Sequence, residues 1–367
     1  MYTKYVFLLI FVLISAAGCS RGNEKIDVGF IGTLSGRYSD IGQDALKGIM
    51  LAMSDLNMEN DINLIIHDDM GVPADGVSAL SQLSEKKVKY VLGPSISAVA
   101  EGIVPLLNKS KLYMFSPTVS TTDLAGKDDR FFRLLPHNNI KQTDGISEYL
   151  VKKLSIKDMV IIYDARNSAY STDIVKNMTA SFTRAGGTVR DIRALNPESG
   201  ESMQALISPD RDNPPQMYYL ITSSLDSALL IWQIKKAGYP SKLSVRAWAA
   251  SNEFFRLGGQ AIEGAYIFDY YIDSGSPAYK DFRKRYIERF TTEPTWMSVH
   301  GYDSGMIFFS GLKSIEKGTT FKEAIIRNTE KVRILKGAEI DEYGDAHLPL
   351  HAYIIRSGRI VRLGTSQ

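Results

Sequence analysis

The sequence predicts an α/β fold built as two successive units of parallel sheet flanked by helices. Three observations carry this prediction. Short apolar runs of strand length alternate with stretches whose apolar residues recur at three- and four-residue spacing. The alternation runs β-α-β-α-β-α-β, then starts again near residue 158. At 367 residues, 44% of them hydrophobic and 23% charged, the chain is ordinary globular material and too long for one small core.

In the first unit, Ile26–Ile31 (IDVGFI) is a predicted strand. Gln43–Asn57 follows as a helix, with Leu46, Ile49, Met50, Met53 and Leu56 on one face. Ile62–His67 is the next strand, and Ala74–Lys86 is a helix begun after Pro73. Lys89–Leu92, Ala98–Asn108 and Leu112–Phe115 read as strand, helix and strand. Phe131–Asn138 (FFRLLPHN) reads as the link to the second unit.

The second unit opens with the strand Asp158–Tyr163 and the helix Thr172–Ala185, closed by Gly186-Gly187. Thr188–Ala194 and Met217–Ile221 are strands, Leu225–Ala237 is a helix ended by Gly238, and Leu243–Trp248 is a strand. The last third is less regular. Ala265–Tyr271 is strand-like, Ala278–Phe290 and Val299–Glu316 are helical, and Phe321–Asn328 is a short helix. Ala352–Arg356 and Arg359–Leu363 flank Ser357-Gly358, a two-residue turn that closes hairpins.

The N-terminus reads as an address. Lys4 precedes the apolar run VFLLIFVLI, which is shorter than the roughly 20 residues needed to span a bilayer. Ser15-Ala16-Ala17-Gly18 then gives a small-residue end, so residues 1–18 read as a secretory signal. Cys19, the one cysteine, follows directly, and the segment resembles a bacterial lipoprotein signal. That resemblance implies cleavage before Cys19, lipid attachment to it and a tether over residues 19–25. Ala16 stands where the usual pattern has Leu, and a plain secreted protein is the alternative.

Composition narrows the chemistry. Lys+Arg 43 against Asp+Glu 41 gives a net charge of +2, no field for nucleic acid or an anionic surface. One Cys cannot form an internal disulfide, and five His with one Cys suggest no structural zinc. No GxSxG, HExxH or P-loop pattern occurs, so no enzyme and no cofactor is expected. His67-Asp68-Asp69 reads as a strand-end turn, and His300 with Asp303 as packing rather than a catalytic pair.

In parallel α/β sheets, ligands sit beyond the carboxyl ends of the strands. Three loops lie there in the first unit: Thr33–Gly42, Gly93–Ser97 and Ser116–Thr122. Ser97 directly precedes a helical run, so its hydroxyl is either a helix cap or a ligand donor. The third loop is rich in hydroxyls after an apolar strand, either a solvated turn or a binding loop.

Six segments carry a family resemblance: IGTLSGRYSDIGQDALKGIMLAMSDLN, YVLGPSISAVAEGIVPLLNKSKLYMFSPTVSTTDL, FFRLLPHN, GGQAIEGAY, HGYDSGMIFFSGL and AEIDEYGDAHLPLHAYIIRSGRIV. In this order they resemble the type I periplasmic binding proteins, in particular the branched-chain amino-acid (Leu/Ile/Val) substrate-binding family of ABC importers. The resemblance implies two Rossmann-like lobes joined by three crossings, with ligand in the cleft. Residues 26–134 plus 268–338 would form one lobe, and 135–267 plus 339–367 the other.

It also implies a site. Ser97 would bind a ligand carboxylate, Thr118 and Ser120 would add a carbonyl and a hydroxyl, and Tyr38 and Ile41 would touch the side chain. In the second lobe Tyr170 and Ser223 match family tyrosine positions, and Asn252 stands near the place of an acid that pairs with the ligand ammonium. No acid aligns there; Asp226 and Glu253 are the nearest substitutes. The ligand is then an amino acid held by another acid or by carbonyls, or it is a related carboxylate, amide or urea-like molecule. The implied function is a lipid-anchored solute-binding protein of the cell envelope that closes around its ligand and docks on an ABC permease. A sensor or envelope partner-binding lipoprotein with a diverged cleft is the alternative.

Overall fold

The computed structural model describes residues 25–138, 140–196, 202–270, 272–315 and 318–363. The predicted signal segment and Cys19 lie outside the described residues, as do Tyr271 and Glu316 at the ends of two predicted elements.

The first sheet contains β1 (Ile26–Gly32), β2 (Ile62–Asp68), β3 (Tyr90–Leu92), β4 (Tyr113–Ser116) and β5 (Phe131–Arg133), in the order β2-β1-β3-β4-β5. Every pairing in it is parallel. The connections are α1 (Ser39–Asp55), α2 (Pro73–Glu85), α3 (Ser97–Ile103) and the single turn α4 (Leu107–Ser110). Val28, Phe30 and Ile31 of β1 are fully buried, as expected of a central strand covered on both faces.

The second sheet begins after α5 (Ile140–Glu148) with β6 (Asp158–Asp164), α6 (Ser168–Arg184), β7 (Thr188–Leu195), β8 (Met217–Ile221), α7 (Ser224–Lys236) and β9 (Lys242–Arg246). Then come α8 (Asn252–Gly258) and β10 (Tyr266–Tyr270), followed by α9 (Pro277–Phe290), α10 (Trp296–Ile315) and α11 (Phe321–Asn328), which return to the first sheet's side. The chain ends with the small hairpin β11 (Glu339–Ile340) and β12 (Ala346–His347), then β13 (Leu350–Arg356) and β14 (Arg359–Arg362). The sheet order is β14-β13-β10-β9-β8-β6-β7, with β13 and β14 antiparallel to their neighbours.

The α/β class and parallel sheets stand as the sequence predicts. Five elements were not anticipated: β5, α5, α8 and the two-residue strands β11 and β12. β5 lies inside the segment read as a link; at three residues it is too short to show a period. α5 and α8 fill stretches with no strong apolar stripe. Two expected lobe boundaries move. Phe268, Asp269 and Tyr270 pair with β13 and belong to the second sheet, so that crossing comes after Tyr270 rather than before Phe268. Residues 339–347 stay on the first sheet's side, where Ile340 and Ala346 share a core with Phe132.

The HGYDSG segment is structural. α1 and α10 cross at Gly48 and Gly301, where a Cβ on Gly301 would lie 2.1 Å from the Ala45 carbonyl oxygen. Asp303 is fully buried and accepts the backbone N–H groups of Arg333, Ile334 and Leu335 at 3.0, 3.0 and 2.8 Å. His300 is also buried, and burial holds its pKa down at about 3, so it is neutral. Gly301→Ala should destabilise the fold by about 1–3 kcal/mol, because two backbones must separate to admit one methyl. Urea unfolding reads the loss, and an unchanged midpoint would show that the crossing relaxes freely.

Candidate ligand-binding site

The site is assembled from loops at the carboxyl ends of both sheets. In the first half, the loops after β3 and β4 are stitched together. Ser116 Oγ donates to the Pro94 carbonyl at 2.8 Å, and Thr118 Oγ1 donates to the Ser95 carbonyl at 2.7 Å. The Ser120 N–H donates to Ser97 Oγ at 3.3 Å. Asn138, on the first crossing, binds Ser120 through both its backbone N–H and its amide. Ser97 does not cap α3: Ile96 holds the cap position and makes no side-chain cap bond. Ser95 Oγ is buried without a partner.

The facing wall comes from the second sheet. Tyr170 of α6 and Trp248 after β9 pack with ring centroids 4.9 Å apart and planes tilted by 47°. Arg246 ends β9 and Asp269 lies in β10, and both are buried. Arg246 reaches two phenol oxygens, donating from Nε to Tyr170 and from Nη1 to Tyr219, each at 3.4 Å. Asp269 Oδ1 accepts its neighbour's backbone N–H, from Tyr270, at 2.7 Å, while Oδ2 has no partner. Burial pushes the Asp269 pKa up to about 7, with the Tyr270 N–H and Arg246 pulling it back. Between the walls the cavity is narrow, about 40 Å³, with the two halves in contact around it.

Of the residues predicted from sequence, Ile41, Ser97, Thr118, Ser120 and Tyr170 line this cavity. Tyr38 sits beside it, stacked on Trp248 with centroids 5.9 Å apart and donating to Asp164 at 2.8 Å. Ser223 and Asn252 do not line it. Ser223 is the N-cap of α7, and the exposed Asn252 amide donates to the Glu293 carbonyl at 2.8 Å. Neither substitute acid enters either: Asp226 is bound by Arg37 and Arg166, and Glu253 faces Arg256. Sequence reasoning missed Arg246 and Asp269. Their signal was present, as each is a charged residue at the carboxyl end of an apolar strand, in KLSVR and YIFDY.

The two halves are in contact outside the cavity as well. Arg37 Nη1 lies 2.6 Å from Asp226 Oδ1, across 189 residues of sequence. Ser224 Oγ donates to Asp40, and the Ala98 N–H donates to Asn167 at 3.3 Å. A wider cavity opens elsewhere, between α5 and β13, beside Lys141, Tyr149 and His347; no residue of the predicted site lines it.

The family model for the periplasmic binding proteins matches residues 25–356. This chain belongs to the periplasmic binding protein family. A Leu/Ile/Val-binding protein homologue from Brucella melitensis is 24% identical over 268 residues, covering 71% of this chain and 72% of that one. A LivJ substrate-binding protein from Streptococcus pneumoniae, solved with isoleucine, superposes with a TM-score of 0.78 at 19% identity, over 93% of this chain and all (100%) of its own. A solute-binding protein from R. palustris, solved with benzoate, gives a TM-score of 0.79 at 16% identity, over 93% of this chain and 96% of its own. At these identities the solved structures speak for the fold, and the family match speaks for the class. The relatives are binding proteins, and this periplasmic binding protein binds rather than turns over. The family works outside the cytoplasm; among the described residues no helix is long and apolar enough to cross a membrane.

Proposed function

We propose that this periplasmic binding protein is the solute-capture component of an ABC importer. It takes a small polar ligand, an amino acid or a related carboxylate or amide, and traps it by hinge closure of two lobes. One observation carries the reading: hydroxyls from one sheet's strand ends and two buried charged groups from the other's converge on a single cavity. Such groups replace the water that a polar solute leaves behind. The loops gripping the ligand would be those of Ser97, Thr118 and Ser120, with Tyr170 and Ile41 closing around it. The closed protein would then dock on a permease in the membrane. Cys19, lipid-modified after removal of residues 1–18, would keep it at the envelope surface.

Ligand binding to the folded state alone raises the melting temperature. A thermal-shift screen of amino acids and organic acids should therefore find a stabilising solute. Ser97→Ala and Ser120→Ala should each weaken it roughly tenfold, the loss of one hydrogen bond to a charged group. A flat melting midpoint across the panel, with native mass spectrometry showing bare protein, would count against capture.

A further inference from the structure

Arg246 and Asp269 are 6% and 4% exposed, and both line the cavity. They sit on neighbouring strands: Phe268 is in register with Arg246, so Asp269 is the next residue along. The one-residue offset sends their side chains to different faces of the sheet, and a buried charge is costly unless it finds a partner elsewhere. No carboxylate among the described residues lies within ion-pair distance of Arg246, whose two phenol contacts are long. Asp269 Oδ2 is buried with no donor at all. Among the described residues neither group has an oppositely charged partner within ion-pair distance, and the space they share is the cavity.

The opposite wall is different in kind. Ser97 and Ser120 line it with neutral hydroxyls that accept bonds but donate none among the described residues, Thr118 Oγ1 being given to the Ser95 carbonyl, and Ser95 Oγ is unpartnered. That wall suits one carboxylate without adding charge. A ligand that satisfies the whole cavity has three polar features. It has a carboxylate for the hydroxyl wall, a cationic donor for Asp269, and a second acceptor for the forked Arg246 guanidinium. A purely aliphatic side chain would strip water from Arg246 and return nothing.

We infer that Arg246 and Asp269 set the ligand class of this cleft: an α-amino acid whose side chain ends in a carboxylate or a carboxamide, in place of a branched aliphatic one. The inference rests on the capture reading above and narrows it. Asp269 takes the ammonium that no acid near Asn252 meets, and Arg246 takes the side-chain oxygen.

The test is a calorimetric and thermal-shift panel on the purified chain with glutamate, aspartate, glutamine, asparagine, leucine, isoleucine, valine and benzoate. At least one of the first four should bind, and the aliphatic amino acids and benzoate should bind at least tenfold more weakly. Arg246→Met and Asp269→Asn should each weaken the best ligand by roughly tenfold to a hundredfold. Arg246→Met should also narrow the gap between that ligand and leucine, a change that general loosening of the fold would not produce. Tighter binding of leucine, isoleucine, valine or benzoate overturns the inference and leaves capture intact. So does wild-type affinity in both variants. Should Arg246→Met fail to fold, the wild-type ranking and Asp269→Asn decide. If no solute binds and native mass spectrometry shows bare protein, capture itself fails, and this inference with it.

Discussion

Asp345→Ala should destabilise the protein by about 3–5 kcal/mol, the cost of leaving a buried charge without its partner. Arg133 is fully buried at the end of β5, with Nε 2.7 Å from Asp345 Oδ1. Its Nη1 donates to the Thr121 carbonyl at 2.6 Å, while Nη2 already lacks a partner. Asp345 Oδ2 accepts the Gly126 N–H at 2.7 Å, so one carboxylate holds both an edge strand and the loop that precedes it. Burial lowers the Arg133 pKa, and Asp345 is the largest influence opposing that. Removing the carboxylate strands the guanidinium and frees the β11–β12 hairpin, whose Gly344 carbonyl accepts the Arg133 N–H at 2.9 Å. Arg133→Met/Asp345→Leu should be far milder than Asp345→Ala, because an apolar pair needs no compensation. Urea unfolding of Arg133→Met, Asp345→Leu and the double variant gives the coupling. Equal losses in Asp345→Ala and in the double variant would show that the pair is replaceable packing.

Much of the fold was legible because the strands are short, apolar and bounded by helices with clear stripes. Met217–Ile221 is read to the residue, all five of its side chains buried. Strands β6 and β9 differ from their predicted bounds by one or two residues, a usual margin for element ends. What escaped reading has physical causes. β5 is fixed by pairing with β4, a tertiary contact that three residues cannot announce. The lobe boundary at Phe268 slipped because sequence order does not say which sheet receives a strand; β13, over 80 residues later, completes the pairing of β10.

The site was half legible for a similar reason. Loop order places Ser97, Thr118 and Ser120, since each follows a recognisable strand directly. In the second half, side-chain direction decides. Ser223 and Asn252 sit in the right loops but turn to local duties, one capping α7 and the other holding the Glu293 carbonyl. The acid in the cleft comes from the next strand, as Asp269. An acid that reaches the cavity from a neighbouring strand is invisible to any residue-by-residue transfer.

Asp226→Ala should weaken ligand binding roughly 30- to 100-fold while leaving both halves folded, by about 2–3 kcal/mol. The Asp226 side chain is fully buried between two arginines from opposite sides of the cleft. Arg37, from the loop before α1, meets Oδ1 at 2.6 Å; Arg166, from the loop after β6, meets Oδ2 at 2.7 Å. Arg166 also grips Asp164 through Nε and Nη2 at 2.8 and 2.7 Å, and Asp164 accepts the Tyr38 hydroxyl. Two cations and two anions thus form a neutral cluster that exists only while the halves touch. Under the proposed hinge motion, opening would remove Arg37 and Tyr38 and leave Asp164 and Asp226 sharing one guanidinium. The cluster therefore favours closure by its differential energy, and a ligand that needs the closed form inherits that preference. Arg37 is 32% exposed, which keeps the effect below that of a wholly buried pair. Arg37→Ala should weaken binding in the same direction by a smaller factor, and added salt should weaken the wild type more than Asp226→Ala. Titration calorimetry gives the affinities, and small-angle scattering shows whether the unliganded variant is more open. Wild-type affinity and an unchanged scattering profile in Asp226→Ala would mean that the cleft walls alone hold the halves together.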